Sequence, residues 1–239
     1  MSGSESVQAA VPLLPPELER LILEDAAWGD RPTTVNLLRV ARRVHVWIEP
    51  LLHRVLLYDA LNAECIARLL NPKYASWVRC IASNDGPWSA ILASCTNITD
   101  LAIWTNPSRY TLSDALSLRH LQRLTVHGAN FERPLEEAHL HALDRLTHLE
   151  IFAAAPSEMM STGTFEALSS LTHFSMIMMT IWDPLVPAHD IDDWRFVTIQ
   201  LPDFKADWIT GAWGGEDYWT RAEDIAQERK SLRVMEAPP

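Results

Sequence analysis

The chain has 239 residues, 48% of them apolar, with a formal net charge of −11 and a mean hydropathy of −0.05. That balance is enough for a core and excludes wholesale disorder, and no run approaches the 18 or more apolar residues that a membrane-spanning helix needs. Acidic charge gathers late, with 12 acidic against 6 basic side chains in residues 183–239, so there is no basic stripe to meet phosphates and nucleic-acid binding is not expected.

Residues 1–12 are small and polar without periodicity and read as a disordered N-terminus; the opening M-S-G-S-E-S has no secretory pattern, so an intracellular protein, cytoplasmic or nuclear, is expected. In L-L-P-P-E-L-E-R-L-I-L-E-D-A-A-W the prolines suit a first helical turn and Glu17 and Glu19 suit its positive end. Leu18, Leu21, Ile22 and Ala26 recur at helical spacing and are read as the apolar stripe of a short amphipathic helix. Leu14, Pro15 and Leu23 are candidates for a second, outward patch. After G-D-R-P-T-T, Thr34 can cap a second helix carrying Leu37, Leu38, Ala41, Val44 and Ile48, which Pro50 ends.

The string L-P-P-E-L-x-x-x-I-L, a gap, then L-L-R-V-A-R-R-V-x-x-W-I-E-P-L-L-x-R-V resembles the F-box as it stands in a group of fungal F-box-like proteins with leucine-rich repeats, over Leu14 to about Tyr58. The resemblance implies a three-helix unit that docks on the Skp-type adaptor of a cullin-RING ubiquitin ligase, with the following repeats capturing a target protein. At the motif positions stand Leu14, Pro15, Leu18, Ile22, Leu38, Val40 and Trp47. The plainer reading is that these helices only close one end of a repeat stack.

From Ile98 to Met176 one pattern is stated four times, with apolar residues at its first, fourth and sixth positions: Ile98, Leu101, Ile103; Leu121, Leu124, Val126; Leu146, Leu149, Ile151; Leu171, Phe174, Met176. An L-x-x-L-x-L unit at this period is the signature of a leucine-rich-repeat horseshoe, one strand and one return segment per unit. A step of 23 residues taken outward puts further fourth positions at Val78, Val55 and Val197, giving seven rungs. The asparagine that fuller repeats place after the strand stands only at Asn106; Ala129, Ala154 and Met179 occupy the matching sites, so the repeats are degenerate. Helices are expected between rungs, started by Asn62, Pro87, Ser113 or Thr111, Pro134 and Thr164.

With those three positions inward, the alternation of a strand turns the third, fifth and seventh outward. The outward set includes Asp100 and Trp104, Arg123 and His127, His148, Glu150 and Phe152, and His173. Trp104, Phe152 and Ile177 would then form an apolar strip beside charge and imidazole, as protein-binding surfaces do, and these residues are the candidate target-binding set. The other possibility is that the C-terminal segment folds over this face and buries them.

Beyond Met179, Pro184 and Pro187 bracket a loop, Asp190, Asp192 and Asp193 read as a solvated acidic stretch rather than a calcium loop, and F-V-T-I-Q supplies a last strand. Two helices broken at Gly214 and Gly215 follow, with Phe204, Trp208, Trp213, Tyr218, Trp219, Ala222 and Ile225 as a dense apolar set, read as a second end cap.

No nucleotide loop, metalloprotease helix or nucleophile elbow is present. His139 and His141 fall on different helical faces, and His120, His148 and His173 sit beside successive rungs. Two of these imidazoles converging with Glu150 in a closed pocket would reopen catalysis. Cys65, Cys80 and Cys95 have no metal spacing and read as reduced core thiols.

The expected α/β architecture is a short N-terminal F-box-like helical unit over 13–54, a leucine-rich-repeat-like solenoid over 55–200 with parallel strands inside and helices outside, and a C-terminal helical cap and tail over 201–239. The expected function is substrate recognition for a Skp-cullin-F-box type ubiquitin ligase. Its partners would be the Skp-type adaptor and an unknown target protein, with no enzyme activity, cofactor, metal, nucleic acid or membrane. The alternative is an interaction scaffold with helical end caps and no ubiquitin role.

Overall fold

Seven stretches combine β-branched or aromatic residues with short length, and in the computed structural model each is a strand: β1 Val55–Tyr58, β2 Cys80–Ser83, β3 Asp100–Ile103, β4 Arg123–His127, β5 His148–Phe152, β6 His173–Ile177 and β7 Phe196–Val197. The structure describes residues 14–58, 62–104, 109–127, 143–152, 169–177, 194–197 and 203–236. All seven strands join one sheet in sequence order, each pair parallel. Among the described residues α4 Ala63–Leu69 and α5 Pro72–Ala75 link β1 to β2, α6 Trp88–Ser94 links β2 to β3, and α7 Arg109–Ser117 links β3 to β4.

The fourth positions lie in register from strand to strand: Leu56 opposite Ile81, then Leu101, Leu124, Leu149, Phe174 and Phe196. They share one core with Ile98, Ile103, Leu121, Val126, Leu146, Ile151 and Leu171 and with the inner sides of α6 and α7. The uniform 23-residue step misplaces three of them. Ile81 and Leu56 take the fourth positions assigned to Val78 and Val55, because the step is 20 residues from Ile81 to Leu101 and 25 from Leu56 to Ile81. Phe196, not Val197, faces Phe174. Val55 therefore belongs to the opposite face of the sheet.

A second regularity sets the register. The carbonyl of the residue just before one strand accepts two N–H groups from the start of the next: Arg54 from Arg79 and Cys80, Arg79 from Thr99 and Asp100, Thr99 from Gln122 and Arg123, Gln122 from Thr147 and His148, Thr147 from Thr172 and His173. The hydroxyls of Thr99, Thr147 and Thr172 donate to the same carbonyls at 3.2, 3.2 and 2.9 Å. These threonines give the carbonyls at the strand starts an additional donor; the asparagine positions lie outside the described residues.

Caps explain part of the helix placement. Asn62 accepts from the N–H of Cys65 and starts α4, and Pro87 opens α6, as expected. Ser113 and Thr111 lie inside α7 rather than at its start. The sites at Pro134 and Thr164, His139 and His141, and the acidic stretch at 190–193 lie outside the described residues.

The described chain divides into two units, residues 1–52 and 53–239. The first holds α1 Pro16–Ala27, α2 Arg31–Leu37 and α3 Arg42–Ile48. The expected single second helix from Thr34 is two helices, because α2 begins after Asp30 and Thr34 lies within it. The Thr34 hydroxyl donates to the carbonyls of Ala27 and Asp30, buried at the α1–α2 corner.

The C-terminal helices α8 Phe204–Ala212 and α9 Tyr218–Glu236 belong to the same unit as the sheet. Asp203 caps α8 by accepting from the N–H groups of Lys205 and Ala206. Gly214, at φ 78°, takes the left-handed turn that ends α8. α9 packs at the last strand of the series, with Tyr218, Trp219, Ala222 and Ala226 in one cluster with Val197. Phe204, Trp208, Ile209, Ala212 and Trp213 pack with Val55, Cys80, Ala82, Ala102, Trp104 and Phe152, so α8 covers the sheet face opposite the main core.

Candidate functional site

The three N-terminal helices bury a small core of Ala27, Val44 and Ile48, with Leu23, Leu37, Leu38, Ala41, Trp47 and Leu51 half-buried around it. Arg43 of α3 donates from Nη2 and Nε to the two carboxylate oxygens of Glu19 on α1, at 2.7 and 3.1 Å. The expected inward stripe of α1 is turned outward. Leu18, Leu21 and Ile22 are 49%, 63% and 54% exposed, Ala26 is also exposed, and Leu23 with Ala27 makes the inward contact instead. The physical reason is that α1 carries apolar residues on two sides, and α2 and α3 supply partner surface for one.

Leu14, Pro15, Leu18 and Ile22, four of the seven residues at the adaptor-binding positions, are exposed at and along α1, and Val40 is exposed at 64%. Leu38 and Trp47 are half-buried and serve the core of the unit. Leu23, a candidate for the outward patch, faces inward. Leu21, Trp28, Val35 and Val46 were not singled out as outward, yet all are exposed. Of the ten large apolar side chains exposed among the described residues, eight belong to this unit; Leu70 and Leu232 are the others.

The second candidate is the sheet face under α8 and α9. Asp100, Trp104, Glu150, Phe152 and His173 are buried there, and Arg123, His127 and His148 are half-buried, so the expected open strip is closed by the chain's own C-terminal helices. The Trp208 indole donates to Asp100 Oδ1 at 3.1 Å. Trp104 meets Phe204 and Trp208 edge-on. Arg123 donates to Asp217 at 3.2 Å and lies 4.0 Å from Asp100. Arg221 pairs with Asp207. Tyr218 donates to the carbonyl of Val197 at 2.9 Å, and Asp217 accepts from the N–H and hydroxyl of Thr220 at the start of α9.

Burial dominates the electrostatics. It pushes the Asp100 carboxyl up to about 6 against the pull of Arg123 and the Trp208 hydrogen bond. It pushes Glu150 up to about 7, where the hydroxyl of Thr125, donating at 2.8 Å, pulls the other way and Asp100, Asp207 and Asp217 add repulsion. His148 is lowered to about 3 by burial first and then by Arg123 and His173. The two imidazoles stack with centroids 4.7 Å apart, and Trp219 meets His148 edge-on. Each histidine also meets the threonine before it, at 2.8 Å for His148 and 2.9 Å for His173.

A cleft lies between this face and the helices, lined by carboxylates and aromatic rings that include Asp100, Glu150, Asp207, Trp104, Trp208 and Trp219; it has room for about one water molecule. Glu150 lines it and the histidines do not, so the convergence of two imidazoles with Glu150 is not met. Among the described residues, no three His, Cys, Asp or Glu side chains come together as a metal site. Of the three thiols, Cys80 and Cys95 are buried, their thiols pushed up to about 12 and about 11 chiefly by burial, whereas Cys65 is half-exposed.

No family model, curated protein or solved structure matches the chain. Among the described residues no helix is long and apolar enough to cross a membrane.

Proposed function

We propose that this chain is the substrate-recognition subunit of a Skp-cullin-F-box type ubiquitin ligase, and that the outward apolar side of its N-terminal helices meets the Skp-type adaptor. The observation that carries the reading is the concentration of exposed apolar side chains in residues 14–46, above all Leu18, Leu21 and Ile22 on one helix. A unit that served only as an end cap needs an inward apolar side and no second one. The seven strands in sequential parallel order, with Leu101, Leu124 and Leu149 in one core, support reading residues 55–197 as a leucine-rich-repeat-like solenoid.

The test is co-purification of the full chain with a Skp-type adaptor. The intact chain is expected to hold the adaptor through gel filtration, and Leu18→Asp with Ile22→Asp to lose it while keeping the far-UV spectrum and melting temperature. An intact chain that never co-elutes with the adaptor removes the ligase reading and leaves an interaction scaffold.

A further inference from the structure

Two layers cover the sheet, and they differ in kind. The main core is apolar throughout, whereas the contact with α8 and α9 mixes aromatic rings with buried charge. From the sheet come Asp100 on β3, Arg123 on β4, His148 and Glu150 on β5 and His173 on β6; from the helices and the turn before α9 come Asp207, Asp217, Tyr218, Arg221 and Glu223. The half-buried Lys205 places its ammonium over the Trp104 ring, 5.7 Å from the centroid. Arg123 and Arg221 are matched by Asp217 and Asp207. Asp100 shares Arg123 at 4.0 Å, and the one hydrogen bond of Glu150 is from the neutral hydroxyl of Thr125.

We propose that α8 and α9 form a releasable cover over the second face of the sheet, whose hold weakens as the solution becomes alkaline and whose lifting bares Trp104 and Phe152. With Asp100 and Glu150 neutral, Arg123 of the sheet meets Asp217 across the contact, and Arg221 meets Asp207 within the helix layer. Ionising both adds two negative charges to this contact, beside Asp207 and Asp217 on the helix side, and separation of the layers is the change that admits water to all four. The sign follows from burial. Both carboxyls lie above their ordinary range, so their contribution is present at low pH and is lost as pH rises through about 6 and about 7. All of these parts lie in the unit of residues 53–239, outside the N-terminal helices that the proposed function assigns to the adaptor.

Cys80 reports on the cover, because its thiol lies under α8 near the carbonyl of Ala212, whereas Cys95 lies in the main core near the carbonyl of Leu69. The experiment measures, on the full chain at pH 5.5 and 8, the alkylation of Cys80 relative to Cys95 and the amide exchange of residues 204–226 relative to β3–β5, corrected for intrinsic chemistry. The Cys80-to-Cys95 ratio is expected to rise severalfold on going to pH 8, net of His148, whose contribution runs the other way below about pH 6.5, with protection lost over 204–226 and kept in the strands. Glu150→Gln keeps an acceptor for Thr125 and should remove most of the rise; Asp100→Asn, which keeps an acceptor for Trp208, is the second arm should Glu150→Gln fail to fold. Loosening at acid instead, equal loss of protection in helices and strands, or the same rise in the neutral variant that folds would overturn the proposal.

Discussion

The indole N–H of Trp208 reaches the carboxyl of Asp100 across 108 residues of chain, at 3.1 Å, inside a buried contact. This donor, with the Arg123–Asp217 pair, ties the C-terminal helices to the middle of the sheet. Trp208→Phe keeps most of the ring and deletes the donor, which leaves a buried oxygen without its partner and should cost about 1–3 kcal/mol in denaturant unfolding. Trp208→Ala removes the ring as well and should cost about 3–5 kcal/mol. A Trp208→Phe variant as stable as the unmodified chain would mean that the hydrogen bond contributes nothing.

Gly211 faces Asp217 so closely that an added Cβ would lie 1.8 Å from the Asp217 carboxylate oxygen. Gly211→Ala must push that side chain away, and Asp217 both starts α9 and pairs with Arg123. A loss of about 1–3 kcal/mol is expected, accompanied by faster alkylation of Cys80 and unchanged alkylation of Cys95. Loss of protection at both thiols would point to global unfolding instead.

Leu124 and Leu21 are both leucines in regular structure, one wholly buried and one 63% exposed. Leu124→Ala should cost about 2–5 kcal/mol by emptying a site in the shared core, whereas Leu21→Ala should stay within about 0.5 kcal/mol. Melting curves check both. A large cost at Leu21 would mean that α1 has a partner within the chain.

His148 lies below its ordinary range, so the unfolded chain takes up a proton near pH 6.5 that the folded chain refuses down to about pH 3. Its contribution to stability is therefore present above about pH 6.5 and lost as pH falls, opposite in sign to Asp100 and Glu150. His148→Gln should gain on the unmodified chain in melting temperature between pH 7 and pH 5. A difference that stays constant across that range would rule out the titration of His148 as its source.

How much of this could be read from the residues depends on which side of the sheet is considered. Leu101, Leu124 and Leu149 recur with enough regularity that the strands, their parallel order and the main core follow from spacing alone. Register at Ile81, Leu56 and Phe196 does not, because the return segments there differ in length and one averaged step cannot follow them. The residues leave open whether the second face is bare or covered, and the structure shows the covered alternative: Asp100, Thr125, Glu150 and Ser175 look like solvent-facing residues, and their burial depends on α8 and α9, whose tryptophans carry no period that points to the strands. The outward turn of Leu18, Leu21 and Ile22 was hidden too, since a helix with two apolar sides does not announce which one finds a partner. One missed signal was legible, the threonine directly after the first apolar position in I-T-D-L, L-T-H-L and L-T-H-F.

That threonine, with the carbonyl it shares, has a bearing on how such a chain lengthens over generations. Each strand start offers its successor the same acceptor that it has itself used on its predecessor. An in-frame duplication of one 25-residue copy, for instance 147–171, would therefore find matched hydrogen-bonding edges on both sides, a freedom that a closed barrel, with its fixed circumference, denies to its genes.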